Sequence, residues 1–464
     1  MAEINSHMFR EYDIRGIAGE DLNAREAELI GKAFGTYCKN SGEKTVLVAR
    51  DARLSSPSLT AGLIAGITST GVNVVDIGLA SHGLFLFALR HLKIPTGGYV
   101  TASHNPSQHN GFKFVLNYEY FGGKQNTELC EMIQKEKFTS AEKQKGKVSS
   151  AMVLNEYCEF LNSKVKVQNN AAKKKLKVVV DCGNGMASLT APRVLRELGC
   201  DVVELYCEVD CTFPNHPADP VVPENLRDLQ SAVKKEKADF GVAFDGDGDR
   251  IVAVDEKGEV VWADQLAAVF AKHFLSKNKN AKIVFDVNCS LALPEVIIRY
   301  GGIPVASKIG HTNIERTMRQ EKALMGAELS GHIFLAENNG VDDAVYAACK
   351  LVEIVSHLKE SESFSSLSSD YPRYFATTQI RVPMADGKKF QFIEKMVDEF
   401  KKENYNVNDV DGAKVIFEDG WGILRASNTA AQLTMRFEGK TEQAMQRIKK
   451  LFFDKLKQHG VEVK

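Results

Sequence analysis

Three stretches of this chain repeat one pattern, and that repetition restricts the fold more than any other feature. Thr45-Val46-Leu47-Val48 runs into Asp51, then a helix-like stretch, then Gly71-Val72-Asn73-Val74-Val75-Asp76. Lys177-Val178-Val179-Val180 runs into Asp181 and later into Gly199-Cys200-Asp201-Val202-Val203-Glu204. Lys282-Ile283-Val284-Phe285 runs into Asp286 and later into Gly301-Gly302-Ile303-Pro304-Val305. Each reads as a buried strand, a polar loop opened by aspartate, an amphipathic helix, a glycine stop and a second strand. That is a βαβ unit. Three similar α/β domains with mixed sheets and right-handed crossovers follow, with the chemistry on polar loops at the carboxyl ends of their strands.

After Tyr371 the pattern changes. Residues 378–382 alternate, 388–403 are helix-like, alternating strands follow, and an amphipathic helix runs over about 441–459. This reads as a smaller α+β domain. The expected domains are 1–150, 151–257, 258–370 and 371–464, with basic or polar stretches at 164–175 and 276–280 and a serine-rich linker at 361–370. A chain of 464 residues accommodates that count, at ~100–150 residues per domain.

The segment richest in chemistry is Phe244-Asp245-Gly246-Asp247-Gly248-Asp249-Arg250. Carboxylates packed that closely repel one another unless a cation lies among them. The interleaved glycines let the backbone curl so that all three face one point. A calcium loop counted from Asp245 would place Asp247, Asp249 and Glu256 at ligand positions, but its turn glycine is replaced by Arg250. The flanks 238–244 and 251–255 read as strands, followed by a turn at Lys257-Gly258 and the apolar run Val260-Val261-Trp262. An ion-free acidic turn is the alternative to a hard, oxygen-liking ion such as magnesium. Arg250 suits an anionic ligand.

The net charge of −1 gives no sign of nucleic acid or of an anionic membrane as partner. No apolar run approaches the ~20 residues that span a bilayer, and residues 1–5 lack the basic and apolar regions of a signal peptide. The nine cysteines form no CxxC pair, and Cys207 and Cys211 have no second pair at zinc spacing. Reduced thiols in a cytoplasmic protein are expected.

Four further segments carry polar groups. Thr101-Ala102-Ser103-His104-Asn105-Pro106, closed by Asn110-Gly111-Phe112-Lys113, sets a serine near an imidazole and an amine. Ser103 either shapes a turn or carries a phosphoryl group; a serine-hydrolase elbow is absent. Lys308-Ile309-Gly310-His311 is a weak signal alone. Glu328-Leu329-Ser330-Gly331-His332 suits a ligand rich in hydroxyls, or is a polar turn. Arg425-Ala426-Ser427-Asn428-Thr429 reads as a phosphate cradle or as a capping turn.

Together with Tyr12-Asp13-Ile14-Arg15-Gly16 and Asp51-Ala52-Arg53-Leu54-Ser55-Ser56, these ordered segments resemble the α-D-phosphohexomutase superfamily over essentially the whole chain. The bacterial phosphomannomutase/phosphoglucomutase branch is the most similar. The resemblance implies four domains around a central cleft. Ser103 becomes the phosphoserine, and Asp245, Asp247 and Asp249 hold Mg2+ together with a phosphoserine oxygen. Glu328 and Ser330 bind sugar hydroxyls, while Arg425, Ser427, Asn428 and Thr429 hold the non-reacting phosphate. Lys308, His311 and Arg250 line the cleft, with Tyr12 near its mouth. Arg15, Lys113 and His332 occupy positions of proton-transfer and charge-stabilising groups.

The implied reaction moves a phosphoryl group between the 1- and 6-positions of mannose or glucose phosphate through a 1,6-bisphosphate. Catalytic amounts of hexose 1,6-bisphosphate act as activator. A monomer or weak homo-oligomer is expected. The chain departs from relatives at Asn288, where lysine is frequent, at Ala431, where proline is usual, and at His109, where tyrosine is common. Leu329 fills an apolar slot that glucosamine-specific relatives give to glutamine. Phosphoglucosamine mutase and a catalytically silent sugar-phosphate binding protein are the alternatives.

Overall fold

The computed structural model describes residues 4–141, 144–168, 175–428 and 431–463. The chain divides into two compact units, Met1–Leu266 with Ser330–Leu367, and Ala267–Leu329 with Ser368–Lys464.

The first unit contains two mixed sheets. One runs in the order Ile14–Ile17, His109–Leu116, Gly97–Val100, Thr45–Arg50, Asn73–Leu79, Val148–Ser150, with Glu119–Tyr120 beside His109–Leu116. Its last four strands are parallel and its first pairings antiparallel. Helices Ala24–Asn40 and Ser56–Ser69 pack together so closely that a Cβ on Gly31 or Gly66 would overlap the facing backbone. The second sheet runs Val260–Val261, Ile251–Asp255, Phe240–Phe244, Lys177–Asp181, Asp201–Leu205. Every residue of Phe240–Phe244 and Ile251–Asp255 is buried, as the apolar runs Phe240–Phe244 and Ile251–Val254 demand. In the same unit Ile333–Leu335 pairs antiparallel with Val341–Asp342.

The second unit holds the third repeat, with Ile303–Ser307, Lys282–Asp286 and Met325–Ala327 in one parallel ladder. It also holds an antiparallel sheet in the order Phe375–Ala376, Gln432–Gly439, Gly420–Ala426, Ala413–Phe417, Asn406–Asn408, with Ile380–Pro383 beside Gln432–Gly439. Helices Asp386–Lys402 and Glu442–Gln458 pack on that sheet through Met396, Phe400, Ile448 and Phe452.

The repeat is visible in the local geometry. Gly71, Gly199 and Gly301 end their helices at φ of +93°, +92° and +80°, where a Cβ is disfavoured. Asp51, Asp181 and Asp286 are buried. Each accepts the backbone N–H two residues on, from Arg53, Gly183 and Asn288, at 3.1, 2.9 and 2.6 Å. The repeated aspartates thus build the turns that open the loops.

Two elements differ from the sequence reading. The single helix expected after Asp181 is a 3-10 turn, Met186–Leu189, followed by the short helix Ala191–Glu197. Pro192 lies in that helix's first turn, where its missing N–H costs nothing. The serine-rich linker is tied down at both ends. Ser365 donates to Glu256 at 2.6 Å, and Phe364 is buried against Phe240 in the first unit. In the second unit Asp370 pairs with Lys272 and accepts from Tyr300 at 2.9 Å. Among the described residues, no helix is long and apolar enough to cross a membrane.

Candidate active site

Ser103 sits in a loop built to hold it. Its φ is +51°, a left-handed conformation costly for a residue with a Cβ and sustained only by surrounding contacts. Those contacts come from Arg53, whose fully buried guanidinium donates to the carbonyls of Ser103, Asn105 and Pro106 at 2.7 Å each and of His109 at 3.1 Å. Asp51 holds Arg53 in turn, at 3.1 Å. Thr101 Oγ1 accepts the Ser103 N–H at 2.9 Å.

The aspartate loop lies directly against this serine. Ser103 Oγ donates to Asp245 Oδ2 at 2.6 Å. Asp245 Oδ1 accepts three backbone N–H groups, from Gly248, Asp249 and Arg250, at 3.0–3.1 Å. That nest is what the interleaved glycines permit, with Gly248 at φ +76°. A Cβ on Gly246 would overlap the Ser103 carbonyl oxygen, so the two loops meet only because position 246 is glycine.

Asp245, Asp247 and Asp249 are all buried, with ligand atoms within 4.8 Å of one another. Lys113 Nζ reaches Asp247 Oδ2 at 2.8 Å and Asp249 Oδ2 at 2.6 Å. The other oxygens of this pair, Asp247 Oδ1 and Asp249 Oδ1, are buried and lack hydrogen-bond partners. Asp249 Oδ1 has only longer contacts, 3.7 Å to His332 Nδ1 and 4.0 Å to Arg250 Nε. Buried carboxylate oxygens without hydrogen bonds, in an all-oxygen cluster, fit a hard divalent cation.

The charges are graded across the cluster. Burial pushes the Asp245 carboxyl well up, and the charges of Asp249 and Asp247 add to it. Asp249 is also penalised by burial, but Lys113, His332 and His82 override that and hold it well below the usual carboxylate range. Burial works against the Lys113 ammonium, while Asp247 and Asp249 outweigh it and keep Lys113 charged. Lys113 is therefore suited to balancing charge rather than to accepting a proton.

Two imidazoles flank the serine and the aspartates. His104 Nδ1 lies 3.1 Å from Ser103 Oγ. Burial, with Arg250 and Arg15 adding to it, drives its pKa well below the ordinary value, so this ring is neutral. His332 Nδ1 lies 2.8 Å from Asp342 Oδ2, and Arg250 Nε donates to His332 Nε2 at 3.0 Å. Burial disfavours a charged His332, while Asp249 and Asp342 outweigh it and raise its proton affinity. Arg15 donates to Asp13 at 2.7 Å and to Asn105 of the serine loop at 2.8 Å.

The first unit thus gathers Ser103, Lys113, Arg15, Arg250, His332 and the three aspartates. Tyr12 is half-buried and Ser330 half-buried in the same unit. In the second unit, Glu328 Oε1 accepts the Gly310 N–H at 2.5 Å, just ahead of helix His311–Glu321. Asp411 Oδ2 accepts the Ile309 N–H at 3.1 Å and pairs with Arg425 at 3.2 Å. This joins the Lys308–His311 segment to the phosphate-cradle strand. Lys308 is exposed, His311 and Ser427 are buried, and Asn428 is half-buried. Thr429 lies outside the described residues.

Sequence reasoning missed four participants. His82 is fully buried, 3.2 Å from Asp249, and its N–H donates to the Asp247 carbonyl at 2.8 Å. Asp342 joins His332 to Tyr120, whose hydroxyl donates to it at 2.6 Å. Arg53 is the clamp of the serine loop and Asp411 the counter-ion of Arg425. Only Arg53 lay within a segment singled out from sequence.

Known proteins carry the same domains in the same order along the chain. Four family models match in chain order. Phosphoglucomutase/phosphomannomutase alpha/beta/alpha domains I, II and III match residues 6–140, 155–258 and 262–374, and the C-terminal domain matches 380–455. A phosphomannomutase/phosphoglucomutase of Pseudomonas aeruginosa is 41% identical over 97% of this chain and 95% of its own. A phosphoglucomutase of Neisseria meningitidis is 36% identical over 97% of each. A solved structure from Burkholderia thailandensis, a phosphoglucomutase/phosphomannomutase family protein, is 34% identical with a TM-score of 0.90 over 99% of this chain and 100% of its own. With four domain models matched in order and relatives alike along nearly their full length, the chain belongs to the phosphoglucomutase/phosphomannomutase family.

Proposed function

We propose that this protein is a phosphohexomutase. It moves a phosphoryl group between the 1- and 6-positions of mannose or glucose phosphate through a phosphoserine and a hexose 1,6-bisphosphate. The observation that carries this reading is the 2.6 Å contact between Ser103 Oγ and Asp245, beside two buried carboxylate oxygens, Asp247 Oδ1 and Asp249 Oδ1, that accept no hydrogen bond.

Asp245, Asp247 and Asp249 would hold Mg2+, which when bound draws charge from the phosphate on Ser103 and makes it a better donor. Arg53 and the left-handed backbone at Ser103 fix the direction in which Oγ presents its phosphate. The sugar hydroxyl attacks phosphorus, the bond to Ser103 Oγ breaks, and the hydroxyl proton passes to a base. His332 is the group we assign to that base: its Nδ1 proton is directed at Asp342, and its Nε2 takes the hydroxyl proton once Arg250, which donates to that nitrogen here, turns to the phosphate. Lys113 and Arg15 balance the charge of the transferring group. The bisphosphate then turns end for end and returns its other phosphate to Ser103.

Glu328 and Ser330 are assigned to sugar hydroxyls. Arg425, Ser427, Asn428 and Thr429 are assigned to the phosphate that does not react, with Lys308, His311 and Tyr12 around the substrate. The four segments 1–150, 151–257, 258–370 and 371–464 are proposed as the domains that carry these loops. We assign the enzyme to the cytoplasm, as a monomer or weak homo-oligomer that meets hexose phosphates and neither nucleic acid nor membrane. A substrate panel with catalytic hexose 1,6-bisphosphate tests the reading. Turnover of mannose and glucose 1-phosphates above glucosamine 1-phosphate is expected, and preference for the glucosamine compound would overturn the substrate assignment.

A further inference from the structure

We propose that Cys182 and Cys207 are a modification site, a thiol pair that closes reversibly to a disulfide and thereby disturbs the aspartate loop. Their sulfurs lie 3.4 Å apart. They sit just beyond the carboxyl ends of two adjacent parallel strands, Lys177–Asp181 and Asp201–Leu205, whose ladder ends at the pair Asp181 and Leu205. A disulfide brings sulfurs to about 2.05 Å, so closure requires an approach of about 1.4 Å. Cys182 is fully buried and Cys207 half-buried. Cys207 is the sulfur an oxidant reaches first. Burial, with Cys207 adjacent, raises the Cys182 pKa, so Cys182 is not the thiol that meets the oxidant first. Sequence spacing drew attention to Cys207 and Cys211, but the thiol facing Cys207 is Cys182.

The loops that follow these cysteines both end on the aspartate loop. Gly185 donates to the Cys182 carbonyl at 2.7 Å, and Met186 donates to the Gly246 carbonyl at 2.9 Å. A Cβ on Gly185 would stand 2.7 Å from the Gly246 carbonyl oxygen, so no slack separates them. On the other side, Asp210 donates to Asn184 at 2.9 Å, and Asn184 donates to Tyr206 at 2.8 Å. Phe213 in that loop lies under Arg53, 5.2 Å from guanidinium to ring centre. Drawing the two sulfurs together moves both loops, and with them Gly246 and the clamp on Ser103.

The chemistry needs a peroxide as oxidant. The Cys207 thiol attacks the O–O bond, giving a sulfenic acid and one water. The Cys182 thiol then displaces the sulfenic hydroxyl, forming the S–S bond and a second water. Two thiols lose two electrons and two protons in total, and one peroxide is reduced to two waters. A dithiol reverses it by exchange.

The test treats the full-length enzyme with hydrogen peroxide and maps the alkylated, unreduced peptides. The expected result is a cross-link between the peptides of Cys182 and Cys207, removed by dithiothreitol. A fall in turnover of at least about fivefold, recovered with the thiols, accompanies it. Cys207→Ser keeps its activity under the same peroxide. Cys182→Ala yields a sulfenic acid at Cys207, trapped by dimedone, with no cross-link. A Cys207–Cys211 cross-link, or none, overturns the pairing. A Cys182–Cys207 cross-link without loss of turnover overturns the coupling to the aspartate loop. The peptide map does not depend on which sugar phosphate the enzyme uses.

Discussion

The backbone carbonyl of Ser103 rests where a side chain on Gly246 would have to stand. The serine loop and the aspartate loop therefore meet backbone to backbone, and the distance from Ser103 Oγ to Asp245 is set by that contact. Gly246→Ala must push the two loops apart. With the fold retained by circular dichroism, turnover should fall about 100-fold, the scale of an ångström's misplacement at a reacting atom. Unchanged turnover would mean that the contact does not set the geometry.

Arg53 supports the same loop from the opposite side. Lysine keeps the charge toward Asp51 but lacks the planar fork that satisfies four carbonyls. Arg53→Lys should lower stability by on the order of 3 kcal/mol, because buried carbonyls lose their donors. Denaturant titration checks this, and turnover should fall with it as Ser103 relaxes from its left-handed backbone.

Much of this arrangement was legible in the chain and part of it was not. The strand–aspartate–helix–glycine repeat maps onto real elements because each residue type acts locally: aspartate closes a turn and glycine takes a positive φ. The aspartate triplet was legible for the same reason. His82, Asp342 and Asp411 left no trace, since each meets its partner only after distant segments pack. Arg53 was visible as part of a segment, but its complete burial ran against the habit of arginines to stay exposed.

Lys414 supplies a pH-dependent prediction in the second unit. Its ammonium lies 3.9 Å from the Trp421 ring centre and donates to the Val287 carbonyl at 2.6 Å. Burial lowers its pKa to about 8, against the pull of Cys289, Glu438 and Asp286 and with Arg436 opposing the charge. The unfolded chain therefore binds more protons than the folded one from about pH 8 to about 10.5, and stability contributed here rises with pH across that window. Relative to Lys414→Met, the wild type should gain on the order of 3 kcal/mol between pH 7.5 and 10.5. Denaturant midpoints of both proteins across this range check it, and parallel curves would contradict it.

The buried oxygens of Asp247 and Asp249 that accept no hydrogen bond predict a strict need for a divalent cation. A dianionic phosphate on Ser103 beside Asp245 is electrostatically unfavourable without one. Dialysis against a chelator should abolish turnover, and Mg2+ should restore it. Asp247→Asn should raise the Mg2+ concentration required at half-maximal rate by at least about tenfold.

Ser103 is proposed to carry the transferred phosphoryl group. Intact-mass and peptide mapping of the enzyme after brief exposure to glucose 1,6-bisphosphate tests it most directly. One added phosphate per chain is expected, located on Ser103, discharged on adding hexose monophosphate and absent from Ser103→Ala, which should retain almost no turnover. Phosphate on another residue, or full turnover by Ser103→Ala, would contradict it.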